Sequence, residues 1–153
     1  MALACEPRLL IADEPTASLD VTVQAQILHL LNELKRELRM SMLIISHDLG
    51  IIAQHCDYVL IMYLGRLIEA GTPHQIFKDP QHPYTQLLIR SIPIPDPDLK
   101  QDLTIVHGDI PSPMNLPSGC RFHTRCIKAT AECSQTDPLL ETKLGREVAC
   151  IKV

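Results

Sequence analysis

Three groups of residues in this 153-residue chain have the types and spacing to do chemistry: the adjacent acids Asp13 and Glu14, the pair His47-Asp48, and Cys120, Cys126, Cys133 and Cys150. Phosphoryl transfer asks a protein for a cation bridge, a group that orients water, and donors for the developing charge. A carboxylate at a strand end can hold Mg²⁺, directly or through water, which suits Asp13. A neighbouring carboxylate aimed at a terminal phosphate can polarise attacking water, which suits Glu14. A histidine at the next strand end can hydrogen-bond that phosphate, which suits His47. The plainer alternative is that the acids cap the following helix and that His47 only begins another. The four cysteines are separated by five, six and sixteen residues. That is wider than the usual zinc pairs and wider than the bacterial ferredoxin run. Spacing alone therefore leaves two readings open, a four-thiolate site or scattered buried cysteines. Cys5 and Cys56 read as packing residues, and His123 is a weaker ligand candidate left out of the set.

The elements that must position these groups follow from hydrophobic period and punctuation. Leu9-Leu10-Ile11-Ala12 is an apolar run of strand length, and Pro15, which cannot donate to a ladder, stops it just after the two acids. From Val21 to Met40 the period becomes helical. Ile27, Leu28, Leu31, Leu34 and Leu38 form one stripe, Asn32, Lys35, Arg36 and Arg39 face away, and Asp20 is the N-cap. Ser41 to Ser46 is a second strand-like run, ending at His47-Asp48. Strand, crossover helix and strand make a βαβ unit with parallel strands. That topology can bring Asp13, Glu14 and His47 to one edge of the sheet, the carboxyl edge where open α/β sheets bind ligands. Leu49 to His55 reads as a short helix. Tyr58–Tyr63 and Arg66–Ala70 read as strands joined by a tight turn at Leu64-Gly65. Helices are expected to start at Pro73 and at His82-Pro83-Tyr84-Thr85, the second ending at Pro93. Ile92 to Pro97 is expected to be extended.

Hydrophobic residues make up 46% and charged residues 21%, which is a globular composition. Net charge is −4, from 14 basic and 18 acidic residues, so no nucleic-acid surface is expected. No apolar run reaches spanning length, the start lacks the features of a signal peptide, and the cysteines are expected in a reducing compartment. Nine of the 12 prolines lie between Pro73 and Pro117, and four of the six cysteines lie from Cys120 onward. The expected organisation is an α/β body over 1–77, a connector helix over 78–95, and a cysteine-bearing extension over 96–153.

Leu10-Ile11-Ala12-Asp13-Glu14-Pro15-Thr16-Ala17-Ser18-Leu19-Asp20 resembles the Walker B motif, catalytic glutamate and D-loop of an ATP-binding-cassette (ABC) ATPase. Ser46-His47-Asp48 resembles its switch-histidine loop. Pro117-Ser118-Gly119-Cys120-Arg121-Phe122-His123-Thr124-Arg125-Cys126, with Cys133 and Val148-Ala149-Cys150, resembles the C-terminal extension of oligopeptide/dipeptide importer ATPases, as does His82-Pro83-Tyr84-Thr85. Ile92 to Leu99 points more narrowly to the F-type subunit of that importer. Ala17-Ser18 is the reverse of the commonest D-loop spelling, and Ile127 stands where the family often has proline.

The resemblance implies the C-terminal part of a P-loop NTPase-like fold. It implies Asp13 as the Mg²⁺ residue, Glu14 as general base, His47 as γ-phosphate sensor, and Ser18 and Asp20 as D-loop residues facing a partner's site. It implies that Cys120, Cys126, Cys133 and Cys150 hold a [4Fe–4S] cluster, with Arg121 and Arg125 placed to offset its charge and the cluster cross-linking a tail too poor in apolar residues for its own core. The implied partners are a homologous ABC ATPase subunit, two transmembrane permease subunits and, indirectly, an extracytoplasmic peptide-binding protein. The implied location is peripheral, at the cytoplasmic face of the bacterial inner membrane. No Gly-x-x-x-x-Gly-Lys-[Ser/Thr] and no Leu-Ser-Gly-Gly-Gln occurs in these residues. The chain is accordingly expected to correspond to part of a longer ATPase and, by itself, not to hydrolyse ATP. The alternative is a non-catalytic remnant serving at most as an iron–sulfur or zinc module.

Overall fold

The computed structural model describes residues 3–92 and 108–153, which fall into two units divided between Cys56 and Asp57. In the first, β1 (Leu9–Asp13), α1 (Val21–Glu37), β2 (Ser41–Ile45) and α2 (Leu49–His55) follow in order. β1 and β2 pair in parallel, from Leu9 with Ser41 through Asp13 with Ile45, as a strand–helix–strand unit requires. Asp20 Oδ1 accepts the N–H groups of Thr22 and Val23, at 3.0 Å each, a cap worth about 1 kcal/mol.

The α1 stripe buries Leu28 and half-buries Ile27, Leu31 and Leu34. It stops one turn earlier than the period suggests. Leu38 is the exposed C-cap, Arg39 takes a left-handed φ of 50°, and the chain turns so that Met40 enters the core. Asn32 does not face away: it is half-buried, with its amide 2.8 Å from His55 Nδ1. Leu9 and Ile11 of β1 and Leu43 and Ile45 of β2 alternate with the half-buried positions and are exposed. Such near-continuous apolar strands are typical of parallel sheets covered on both faces.

The second unit is built on an antiparallel sheet of order β3-β4-β6-β5, with β3 Val59–Tyr63, β4 Arg66–Gly71, β5 Glu141–Lys143 and β6 Arg146–Val148. The first hairpin turns on Leu64-Gly65 (φ 46° and 75°) and the second on Leu144-Gly145 (φ 52° and 75°). Two consecutive left-handed residues match the twist of the flanking strands. β3 alternates cleanly, with Val59, Ile61 and Tyr63 buried and Leu60 and Met62 exposed. α3 (Pro73–Lys78) starts with a capping box between Thr72 and Gln75, and α4 (Pro83–Arg90) starts at His82, each with proline in its first turn.

The tail does not stand on its own. β6 pairs with β4, Glu69 opposite Val148 and Ala70 opposite Glu147, and the Ala149 N–H donates to Ile68 O at 2.9 Å. Val148, Ala149 and Phe122 are buried with Ile68, Ala70 and Ile76 in one core. A tail with few apolar residues for a core of its own shares the hairpin's. The 77/78 boundary falls inside this unit. The Pro93 stop, the 95/96 boundary, and the rest of the Ile92–Leu99 stretch beyond Ile92 lie outside the described residues.

Two charged side chains are enclosed in this unit. Glu69 is 0% exposed, and its carboxylate accepts the N–H groups of Gln81 at 2.8 Å and His82 at 2.9 Å. Arg146, 7% exposed, lies 3.7 Å from Glu69. It donates to Gln75 O at 2.7 Å and Asp79 Oδ2 at 2.9 Å, and closely to Asp79 O. The pair ties β4 and β6 to the α3–α4 connection.

Candidate functional site

In the first unit, the parallel register sets the ends of β1 and β2 side by side. The Glu14 N–H still donates to Ile45 O at 2.9 Å, extending the ladder by one bond, while Glu14 itself turns to a φ of 47°. A non-glycine residue in the left-handed region costs about 1–2 kcal/mol, and such positions recur where a side chain must be aimed. Here the turn brings Glu14 Oε1 to 2.8 Å from His47 Nδ1. Two residues 33 positions apart are joined by geometry that only the βαβ topology supplies. The hydrogen bond that Glu14 accepts from His47, then the Glu14 charge, hold His47 above the ordinary histidine value. Glu14 is half-buried, whereas Asp13 and His47 are exposed and open to a ligand.

After Pro15 the chain makes two tight turns, with Ala17 N–H to Glu14 O at 3.1 Å and Leu19 N–H to Thr16 O at 3.3 Å. Thr16 is buried; Ser18 has a φ of 67° and is exposed. Asp20 is spent on capping α1. Asp48 caps α2, accepting from Gly50 N at 2.8 Å and Ile51 N at 3.3 Å. The helix-cap alternative thus belongs to Asp20 and Asp48, while Asp13 and Glu14 remain at the strand end.

In the second unit, Cys120, Cys126, Cys133 and Cys150 line a single cavity. Gly119 draws two of them together. Its φ is 65°, and a Cβ there would stand 2.5 Å from Cys133 O, so only glycine permits the Cys120 N–H to reach Cys133 O at 2.9 Å. Each sulfur faces a backbone donor: Phe122 N–H for Cys120, Lys128 N–H for Cys126, Thr130 N–H at 3.5 Å for Cys133, and Lys152 N–H at 3.4 Å for Cys150. Burial, followed by the neighbouring cysteines, pushes the Cys120 thiol up, and burial does the same to Cys126. Cys133 is held down, first by the Thr130 N–H. Two buried and two half-buried thiols that repel one another as thiolates, each supplied with an N–H donor, suit a shared cationic centre. Among the described residues, no three His, Cys, Asp or Glu side chains are gathered as one metal ion needs.

Several details depart from expectation. Arg121 donates to Leu64 O and braces the first hairpin's turn instead of standing by the thiols. Lys128 and Lys152 are the cations that line the cavity. Cys5 is exposed and so is not a packing residue. Sequence reasoning placed His82 at a helix start but missed its second role as part of the cavity wall. Its Nδ1 accepts the Tyr84 N–H at 3.1 Å, so in the neutral ring Nε2 carries the proton. That Nε2 is buried without a partner, a situation that costs about 1–3 kcal/mol, and burial pushes the ring's pKa down to about 4. His82 precedes a proline at a helix start, which signals the cap and nothing more. Beside it Tyr63, Tyr84 and Phe122 stack with centroids 4.7–5.3 Å apart.

No helix among the described residues is long and apolar enough to cross a membrane. The family model described as "Oligopeptide/dipeptide transporter, C-terminal region" matches residues 68–133, which hold His82 and three of the four cysteines. The oligopeptide transport ATP-binding protein OppF of Escherichia coli is 48% identical over 99% of this chain and 46% of its own length. The OppF of Salmonella typhimurium is 47% identical over the same shares. A solved chain described as CbiO1 from Clostridium perfringens, part of the ABC transporter complex CbiONQ, aligns at 42% identity. Its TM-score is 0.45, over 48% of this chain and 30% of that one. The chain spans about half the length of the curated relatives it matches. With an α/β fold and nearly its whole length aligned, the chain is similar to the part of the oligopeptide transport ATP-binding proteins that carries the oligopeptide/dipeptide transporter C-terminal region, matched here at residues 68–133.

Proposed function

We propose that this chain supplies the hydrolytic edge and the C-terminal extension of an ATPase that drives import of oligopeptides or dipeptides. The observation that carries the reading is the 2.8 Å contact between Glu14 and His47 at the ends of two parallel strands. Asp13, exposed at the same edge, would hold Mg²⁺, which bridges and neutralises the phosphates when bound. Glu14 orients and deprotonates the attacking water. His47, within reach of Glu14, donates to the terminal phosphate and reports its presence. Ser18, on the exposed turn after Pro15, and Asp20 form the D-loop facing a homologous ATPase subunit.

Two membrane permeases and, through them, an extracytoplasmic peptide-binding protein complete the assembly, with this chain on the cytoplasmic face of the bacterial inner membrane. Its test is uptake of a labelled oligopeptide by membrane vesicles holding the assembled transporter. Uptake that requires ATP inside the vesicle is expected; uptake indifferent to ATP overturns the reading.

Cys120, Cys126, Cys133 and Cys150 fit an iron–sulfur group by donor type, by their shared cavity and by the N–H donor on each sulfur. A [4Fe–4S] cluster held there would cross-link the two loops and the β6 end that bear them. Protein purified without oxygen is expected to carry about four iron and four sulfide per chain. Zinc alone would refute the cluster.

A further inference from the structure

The His82 ring is split between two tasks. On one side Nδ1 serves the N-terminus of α4 by accepting the Tyr84 N–H at 3.1 Å. On the other, Nε2–H is enclosed and finds no acceptor among the described residues. The residue is 1% exposed, so water does not supply the missing partner from bulk. The cavity it lines is walled by Pro83, Phe122, Pro138 and Ile151, which offer no side-chain acceptor, and by Lys128 and Lys152, which only donate. What remains are the four cysteine sulfurs and His123. The His123 ring gives its Nδ1 to Cys120 O at 2.8 Å, and no hydrogen bond joins the two imidazoles. A buried donor without a partner marks a place where a partner is bound or omitted. Among the side chains that line the cavity, the abundant acceptor is sulfur.

We propose that the His82 Nε2–H donates a hydrogen bond to sulfur of the group held by Cys120, Cys126, Cys133 and Cys150, making His82 a positioning residue that sets that group's reduction potential. The inference rests on the iron–sulfur reading of the four cysteines. It differs from ligation: an Nε2 that keeps its proton, because Nδ1 is committed to the helix, cannot also give its lone pair to a metal. A donor to sulfur offsets the negative charge gained on reduction, so it raises the potential. It also ties the cluster mechanically to α4 and, through the His82 N–H bonded to Glu69, to β4.

The experiment uses the full chain purified without oxygen and loaded with ferrous iron and sulfide, in wild type, His82→Asn and His82→Gln. Asparagine keeps an acceptor for the Tyr84 N–H and so keeps the cap, but has no donor on the far side of the ring. Glutamine places an amide N–H close to where Nε2 stood. Iron and sulfide content, the visible absorption spectrum and the reduction midpoint are read for each. His82→Asn is expected to retain its iron and lose about tenfold in the reduction equilibrium, a fall of about 59 mV for a one-electron couple, with His82→Gln recovering most of it. An intact cluster whose midpoint is unchanged in His82→Asn overturns the inference while leaving the cluster standing. Should both variants lose iron equally, the imidazole is needed to hold the group and not to set its potential, and the inference also fails. Wild type that takes up zinc but no iron and sulfide overturns the cluster itself, and this is visible before any variant is made.

Discussion

Glu14→Gln is expected to lower ATP turnover by the assembled transporter about 10²- to 10⁴-fold while nucleotide binding persists. That range is what one positioned general base contributes. The amide keeps the volume and hydrogen-bonding reach of the carboxylate but cannot take a proton. The backbone at position 14 is held by the ladder bond to Ile45 O and not by the side chain, so the left-handed turn should survive the change. The substitution has a second signature, independent of turnover. In wild type the hydrogen bond and charge of Glu14 raise the His47 pKa above 6.5. Stability from this exposed, solvent-screened pair is therefore complete below the unfolded-state value and lost as pH rises through the raised folded value. With glutamine, the His47 imidazole resonances should titrate at lower pH than in wild type. Turnover reduced less than tenfold, measured by phosphate release, would remove Glu14 from the reaction.

Arg146→Met is expected to destabilise the second unit by roughly 3–5 kcal/mol, the usual consequence of leaving one member of a buried ion pair without the other. Three losses coincide. Glu69, 0% exposed, loses the Arg146 cation at 3.7 Å. Gln75 O and Asp79 O each lose one of two donors and keep only the Asp79 N–H and the Gln81 amide. The methionine cannot close the link between β6 and the α3–α4 connection. Asp79→Asn separates these causes. Asp79 is the partner at hydrogen-bonding distance, 2.9 Å, but its side chain is 68% exposed, so removing its charge should change stability by less than about 1 kcal/mol. Urea denaturation followed by far-ultraviolet circular dichroism reads both. Equal effects from the two substitutions would mean that the surface pair, and not the burial of Glu69, holds the tail. Replacing Glu69 and Arg146 together by apolar residues should not restore stability, because the N–H groups of Gln81 and His82 would lose their acceptor.

Much of the first unit was legible because its signals are local. An apolar run closed by proline, a 3.6-residue stripe opened by Asp20, and a second apolar run identify β1, α1 and β2 to within a few residues. The right-handed crossover rule then sets the two strand ends together. Asp13, Glu14 and His47 were legible as a group for that reason, before any distance was known. The Leu64-Gly65 turn was equally plain, since the hairpin it closes joins neighbours in the chain.

The second unit was not legible in the same way. β5 and β6 are three residues each, too short for a period to register, and β6 finds its partner 79 residues earlier, at Glu69 opposite Val148. No local pattern marks Glu69 or Arg146 for burial. Their burial exists only once the hairpin and the tail are brought together.

By itself, then, the chain's order of residues determined the βαβ unit, its carboxyl edge with Asp13, Glu14 and His47, and the presence of four thiols in a proline-rich tail. Only the tertiary structure decided that those thiols meet in one cavity, that the tail shares the hairpin's core, and that His82 turns an unpartnered N–H into the cavity's wall. The physical reason is the range of the interactions. Periodicity and capping act within one or two turns, whereas sheet pairing and the enclosure of charge depend on residues distant in the chain arriving at the same place.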